Sequence, residues 1–154
     1  MPGVSLYFPK RRYIVKAAGV LMIALAIAVA VVSLVFNCQA EGRSLALANG
    51  TTVPMKCFWS AMAEIAVAVP LLGVGGMLAL SQGRETQRTL AVTGGILGAF
   101  TMLIPTVLIG VCANPDHDCN RIMLPTTLMA GTLIIAVSLI TLFISEGRTE
   151  ASAA

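Results

Sequence analysis

Thr89–Cys112, TLAVTGGILGAFTMLIPTVLIGVC, contains no charged residue. A helix needs about 20 mostly apolar residues to cross roughly 30 Å of hydrocarbon. This stretch meets that length, and three others match it. Ala17–Phe36 and Ile122–Ser145 carry no charge, and Cys57–Leu80 carries one, Glu64. The whole chain agrees with its parts. It has 154 residues, 57% of them hydrophobic and 11% charged, with a mean hydropathy of +0.89. Soluble domains carry about 25% charged residues, so too few polar groups are present to cover a water-facing surface. Disorder, nucleic-acid binding and ordinary cytosolic enzymology are excluded on that ground. Inside a bilayer only helices and closed barrels satisfy every backbone polar group. The expected fold is all-α: an integral membrane four-helix bundle with spans at about 17–36, 57–80, 89–112 and 122–145.

The basic residues orient it. Lys10, Arg11, Arg12, Lys16, Arg84, Arg88 and Arg148 fall on one side of the four spans. Arg43, Lys56 and Arg121 fall on the other. Cytoplasmic loops carry the excess of Lys and Arg, so both termini are expected in the cytoplasm. Three regions follow: a basic cytoplasmic segment at 1–16, a transmembrane domain at 17–145 and a flexible cytoplasmic tail at 146–154. The expected location is a prokaryotic inner cell membrane, multi-pass. Trp59 is placed in the outer interfacial belt, and Tyr7, Phe8 and Tyr13 in the inner one.

That orientation puts Cys38, Cys57, Cys112 and Cys119 together at the extracytoplasmic rim. Oxidising compartments favour disulfides, so two bridges bracing two short outer loops are expected. Four cysteines allow three pairings. Spacing suggests Cys38–Cys57 with Cys112–Cys119, and the rival is Cys38–Cys119 with Cys57–Cys112. Each half then reads span, Cys, outer loop, Cys, span, as in a parallel repeat. A metal site is the alternative, with Met55, Cys57 and His117 as soft ligands for a copper-like ion. The spacing matches no standard structural zinc pattern. No Cys-x-x-Cys pair exists to support a thiol oxidoreductase.

Glu64 is the one charge within the spans. An ionisable group there is expensive, so it should face the bundle interior. Thr106, Thr126 and Thr127, with Ser33, lie at a similar depth and are expected to form a polar layer around it. Arg121 is expected to reach down from the surface. Small residues allow close helix packing in membranes. Candidates are Ala24 and Ala28 on span one, Gly73, Gly75 and Gly76 on span two, and Gly94 and Gly98 on span three. Pro70 and Pro105 each remove a helix hydrogen bond and should bend their helices.

Two motifs carry a resemblance. Met55-Lys56-Cys57-Phe58-Trp59-Ser60-Ala61 with Glu64, then Ile104-Pro105-Thr106-Val107-Leu108-Ile109-Gly110-Val111-Cys112 with Cys119, resemble a family of small prokaryotic four-span membrane proteins catalogued only as a domain of unknown function. The resemblance spans roughly residues 15–145. Members often have His after the Met-x-Cys element, where this chain has Phe58. The resemblance implies the four-span fold and no established activity. Such proteins look like accessory components of membrane transport systems.

No nucleophile–base pair supports catalysis, and no cofactor motif is present. The expectation is a non-enzymatic accessory or scaffold subunit whose partners are the lipid bilayer and a larger membrane protein, such as a transporter permease, or a second copy of itself. The alternatives are small-solute or metal binding or transport at the outer face, and membrane thiol–disulfide exchange.

Overall fold

The computed structural model describes residues 7–40 and 42–146. The expected tail at 146–154 lies outside the described residues from 147 onward. Four long helices dominate: α1 (Tyr7–Val35), α2 (Lys56–Leu80), α3 (Arg84–Leu103) and α4 (Leu124–Glu146). A π-helical turn, Ile104–Leu108, extends α3, and another, Cys119–Met123, leads into α4. Four stretches are long and apolar enough to cross a membrane: Arg12–Val35, Lys56–Leu80, Arg84–Leu108 and Cys119–Ser145. The protein fits a multi-pass membrane bundle.

Several boundaries differ from expectation for local reasons. α1 starts at Tyr7, so part of the basic segment at 1–16 is helical and continuous with the first span. Pro9 lies in its first turn, where a missing N–H is tolerated. The third helical run ends at Leu108, short of Cys112. Pro105 has no N–H to give Thr101, and the ladder widens around it. Ile109 N and Gly110 N both donate to the Ile104 carbonyl, at 3.0 and 3.1 Å. Gly110 closes the helix at φ +83°, the left-handed end favoured by glycine. Cys112 therefore stands on a loop. The outer loop after α1 also contains a short exposed hairpin, β1 (Leu45–Ala46) paired antiparallel with β2 (Thr52–Val53).

α1 packs most extensively on α2, and α3 on α4. Glycines permit this. A Cβ on Gly19 would lie 2.6 Å from Ala79 N and 2.7 Å from Gly75 O, both backbone atoms. A Cβ on Gly98 would meet Ile134 at 2.8 Å and Gly131 O at 3.2 Å. Ala24 and Ala28 are exposed, so the expected small-residue seam on span one is replaced by Gly19. Gly73 and Gly76 have open space around them. Of that trio only Gly75 lies against α1.

One apolar cluster fills the half of the bundle away from the cysteines: Val15, Met22, Leu71, Val74, Leu78 and Ile134, among others. Large apolar side chains also point outward on every helix, among them Ile27, Val69, Ile96 and Phe143. So much exposed apolar surface is unusual for a water-soluble monomer and is the ordinary exterior of a lipid-embedded one. At the other end, Cys38, Cys57, Ala61, Cys119 and Met123 form a second buried cluster.

Candidate metal centre

Each cysteine reaches this end by a different route. Cys38 lies in the turn that follows α1, and Cys57 in the first turn of α2. Cys112 follows the Gly110 helix end, and Cys119 opens the π-helical turn before α4. Their sulfur atoms converge, all within 4.8 Å of one another. Cys57 and Cys112 Sγ are 3.3 Å apart, Cys38 and Cys112 3.4 Å, and Cys38 and Cys119 3.6 Å. Cys38, Cys57 and Cys119 are buried, and Cys112 is half-buried.

These three close contacts all join one helical pair to the other. The sulfurs of both expected pairings, Cys38–Cys57 with Cys112–Cys119 and Cys38–Cys119 with Cys57–Cys112, lie within the same 4.8 Å group. Helix packing, not loop length, brings the sulfurs together. All four are free thiols in the structure.

The separations suit a four-coordinate ion. Zinc–thiolate bonds of about 2.3 Å in a tetrahedron place neighbouring sulfurs about 3.8 Å apart. Soft thiolates select zinc, Cu(I) and similar thiophilic ions. Burial pushes the Cys38 thiol up, and its contacts with the other three thiols push it the same way. Burial also acts to raise the Cys112 thiol, but contacts with Cys57 and Cys38 stabilise its thiolate and the net direction is down.

Two asparagines hold the backbone that carries the sulfurs. Asn37 Nδ2 donates to the Ser33 and Leu34 carbonyls, at 3.0 and 2.8 Å. Its Oδ1 accepts from Gln39 N and Ala40 N, at 3.1 and 2.9 Å. Asn120 Nδ2 donates to the Cys112 carbonyl at 2.6 Å and to the Asn114 carbonyl at 3.1 Å. Ser60 Oγ donates to the Gly110 carbonyl at 2.8 Å, pinning the helix end before Cys112 to α2. Sequence reasoning missed these roles. The one available signal was an asparagine adjoining Cys38 and another adjoining Cys119.

Met55 and His117 border the cluster. Met55 Sδ is 4.0 Å from Cys112 Sγ, and His117 Nδ1 is 3.9 Å from Cys38 Sγ. Of the expected ligand set Met55, Cys57 and His117, only Cys57 belongs to the four converging sulfurs. Arg43 Nη1 lies 2.9 Å from His117 Nε2. A guanidinium only donates, so Nε2 accepts and Nδ1 presents its N–H toward Cys38. An N–H directed at a sulfur is the kind of contact that orients a thiolate ligand where a metal is bound.

Glu64 faces inward as expected and is fully buried. The expected polar layer does not form. Thr106 Oγ1 donates to the Met102 carbonyl at 2.6 Å, Thr126 to Ile122 at 2.7 Å and Thr127 to Met123 at 2.9 Å. Helical threonines commonly turn back to their own carbonyls in this way. Thr106 is exposed, and so is Arg121, which does not reach Glu64.

A family model described as Domain of unknown function (DUF4418) matches residues 20–144. No curated protein and no solved structure matches the chain.

Proposed function

The chain belongs to the DUF4418 family of unknown function, and we propose that it is a membrane protein that binds a thiophilic metal ion through Cys38, Cys57, Cys112 and Cys119. The convergence of four sulfurs within 4.8 Å supports this reading. An accessory-subunit role and metal handling are both compatible with the sequence, and the sulfur cluster favours the second. Four thiolates and a divalent ion leave a net charge of −2. Arg43, Lys56 and Arg121 are exposed at the same end and offset that charge. The basic residues at the opposite end support an extracytoplasmic position for the centre. Lys16, Arg84 and Arg88 lie there, as does Arg12, which donates to Gln82 at 3.2 Å.

The test uses the full chain, purified reduced in mild detergent. We expect one zinc per chain by elemental analysis. Cobalt substitution should give the intense thiolate charge-transfer absorption of a tetrahedral sulfur site, and Cys112→Ser should abolish it. Four free, titratable thiols that bind neither ion would refute the reading.

A second reading has one observation in its favour. Cys112 lies within 3.4 Å of two sulfurs at once, an arrangement suited to disulfide exchange. If the centre is oxidised, peptide mapping without reduction should find Cys57–Cys112 with Cys38–Cys119. Recovery of Cys38–Cys57 with Cys112–Cys119 would count against the geometry described above.

A further inference from the structure

Glu64 has no hydrogen-bond partner on either carboxyl oxygen, although it is fully buried. Ser33, on the adjoining helix α1, is also fully buried, and its hydroxyl is likewise without a partner. Buried polar groups are nearly always hydrogen-bonded, so each exception calls for an explanation. Ser33 lies within the last turn of α1, at the sulfur end. Glu64 lies seven residues along α2 from Cys57. At 1.5 Å rise and 3.6 residues per turn, that is about 10 Å deeper on nearly the same face.

The surroundings of Glu64 differ toward the two ends of the bundle. Toward the sulfurs, the buried face of α2 carries Ser60 and Cys57, with the Gly110 carbonyl against Ser60. Away from them it carries Ala68, Leu71, Val74 and Leu78, closed over by Met22, Ala26 and Ile134. On α2, then, the buried polar side chains beside Glu64 lie on the sulfur side, while the other unpartnered hydroxyl among the described residues, Ser138, belongs to α4.

No charged side chain is available as counter-ion within the spans. α1 has none from Ala17 to Val35, and α2 has none other than Glu64 between Cys57 and Leu80. The third helical run has none from Thr89 to Leu108, and the fourth none from Ile122 to Ser145. Among the described residues, the titratable and charged groups on the polar side are the four thiols and His117, with Arg43, Lys56, Asp116, Asp118 and Arg121 around and beyond them. Hard divalent cations take about six or more oxygen ligands. One carboxyl and one hydroxyl do not make such a set, whereas a proton needs only one oxygen.

We propose that Glu64 is a proton-binding site, loaded and unloaded from the sulfur-bearing end of the bundle. Intramembrane carboxyls commonly serve this purpose in pumps and transporters. The site does not depend on metal binding at the four cysteines.

The experiment uses the full chain in liposomes, with an apolar carbodiimide as probe. This reagent modifies protonated carboxyls, and mass spectrometry locates the adduct. An impermeant thiol reagent on the same vesicles, after reduction, reports which face carries the cysteines. Glu64 should be modified, and Glu64→Gln should carry no adduct there. The rate should fall about tenfold for each pH unit past its midpoint, as one titrating group requires. That fall should follow pH on the cysteine side and ignore pH on the other. Absence of the adduct, a rate independent of pH, or a rate that follows the opposite side would overturn the proposal.

Discussion

Cys112 differs from the other three cysteines in exposure, and from Cys38 and Cys57 in ionisation. It is half-buried where they are buried, and contacts with Cys57 and Cys38 hold its thiol below the ordinary value. The thiolate is the nucleophile, and a lowered pKa means a larger thiolate fraction at any pH below it. In the reduced, metal-free protein, Cys112 should therefore be alkylated before Cys38, whose thiol is pushed up. The ratio of the two rates should be greatest while both are mainly thiols and should narrow as pH rises past the point where Cys112 has ionised. Timed alkylation with peptide mapping checks this. Asn120 contributes at the same level, because its side chain alone ties Cys112 to Asn114 across the turn. Asn120→Ala leaves the half-buried Cys112 carbonyl without this donor, a loss of about 1 kcal/mol. Zinc affinity should fall measurably in a competition titration while helix content by circular dichroism is retained.

Two helical features hold the centre in place. Pro105 widens the end of the third helical run into a π turn that Gly110 closes. Such turns are common at functional sites. Pro105→Ala restores an N–H that can reach the Thr101 carbonyl, so the run should continue as ordinary α-helix and rotate the segment leading to Cys112. The expected result is weakened cobalt charge-transfer absorption with little loss of thermal stability. The glycine contacts behave oppositely. A Cβ at Gly19 would press on the Ala79 and Gly75 backbones, which cannot move aside as a flexible side chain can. Gly19→Ala should destabilise the bundle by about 1–3 kcal/mol, the usual range for overpacking. A lowered unfolding midpoint in detergent is the measurement.

Across the bundle, the sulfur centre joins the α1–α2 pair to the α3–α4 pair, since the contacts of Cys38 with Cys112 and Cys119 and of Cys57 with Cys112 cross between them. A ligand that binds only the folded state adds stability, about 2.7 kcal/mol at one hundred times its dissociation constant. Zinc should therefore raise the thermal midpoint of the reduced protein, and a chelator should reverse the gain. Cys38→Ser with Cys119→Ser should remove that response. A response that survives both substitutions would place the bound metal elsewhere.

Much of this architecture could be read from the chain because the bilayer imposes a simple rule. Apolar stretches near twenty residues must be helices, and four stand out, three uncharged and one holding Glu64 as the one interior charge. The cysteines could likewise be assigned to one end, since each adjoins the end of a span. Their convergence could not be read, because the residues between them say nothing about helix azimuth. That depends on Gly19 against Gly75, Gly98 against Gly131, and the wider turn at Pro105. Loop length pointed to Cys38 pairing with Cys57, while packing set Cys57 beside Cys112. The hydroxyls of Thr106, Thr126 and Thr127 each turn to a carbonyl of their own helix, a choice that rise per residue does not reveal. Hydropathy is a property of each segment alone and survives in the linear text. The meeting of four sulfurs and the isolation of one carboxyl are relations between segments, and these arise only when the helices pack.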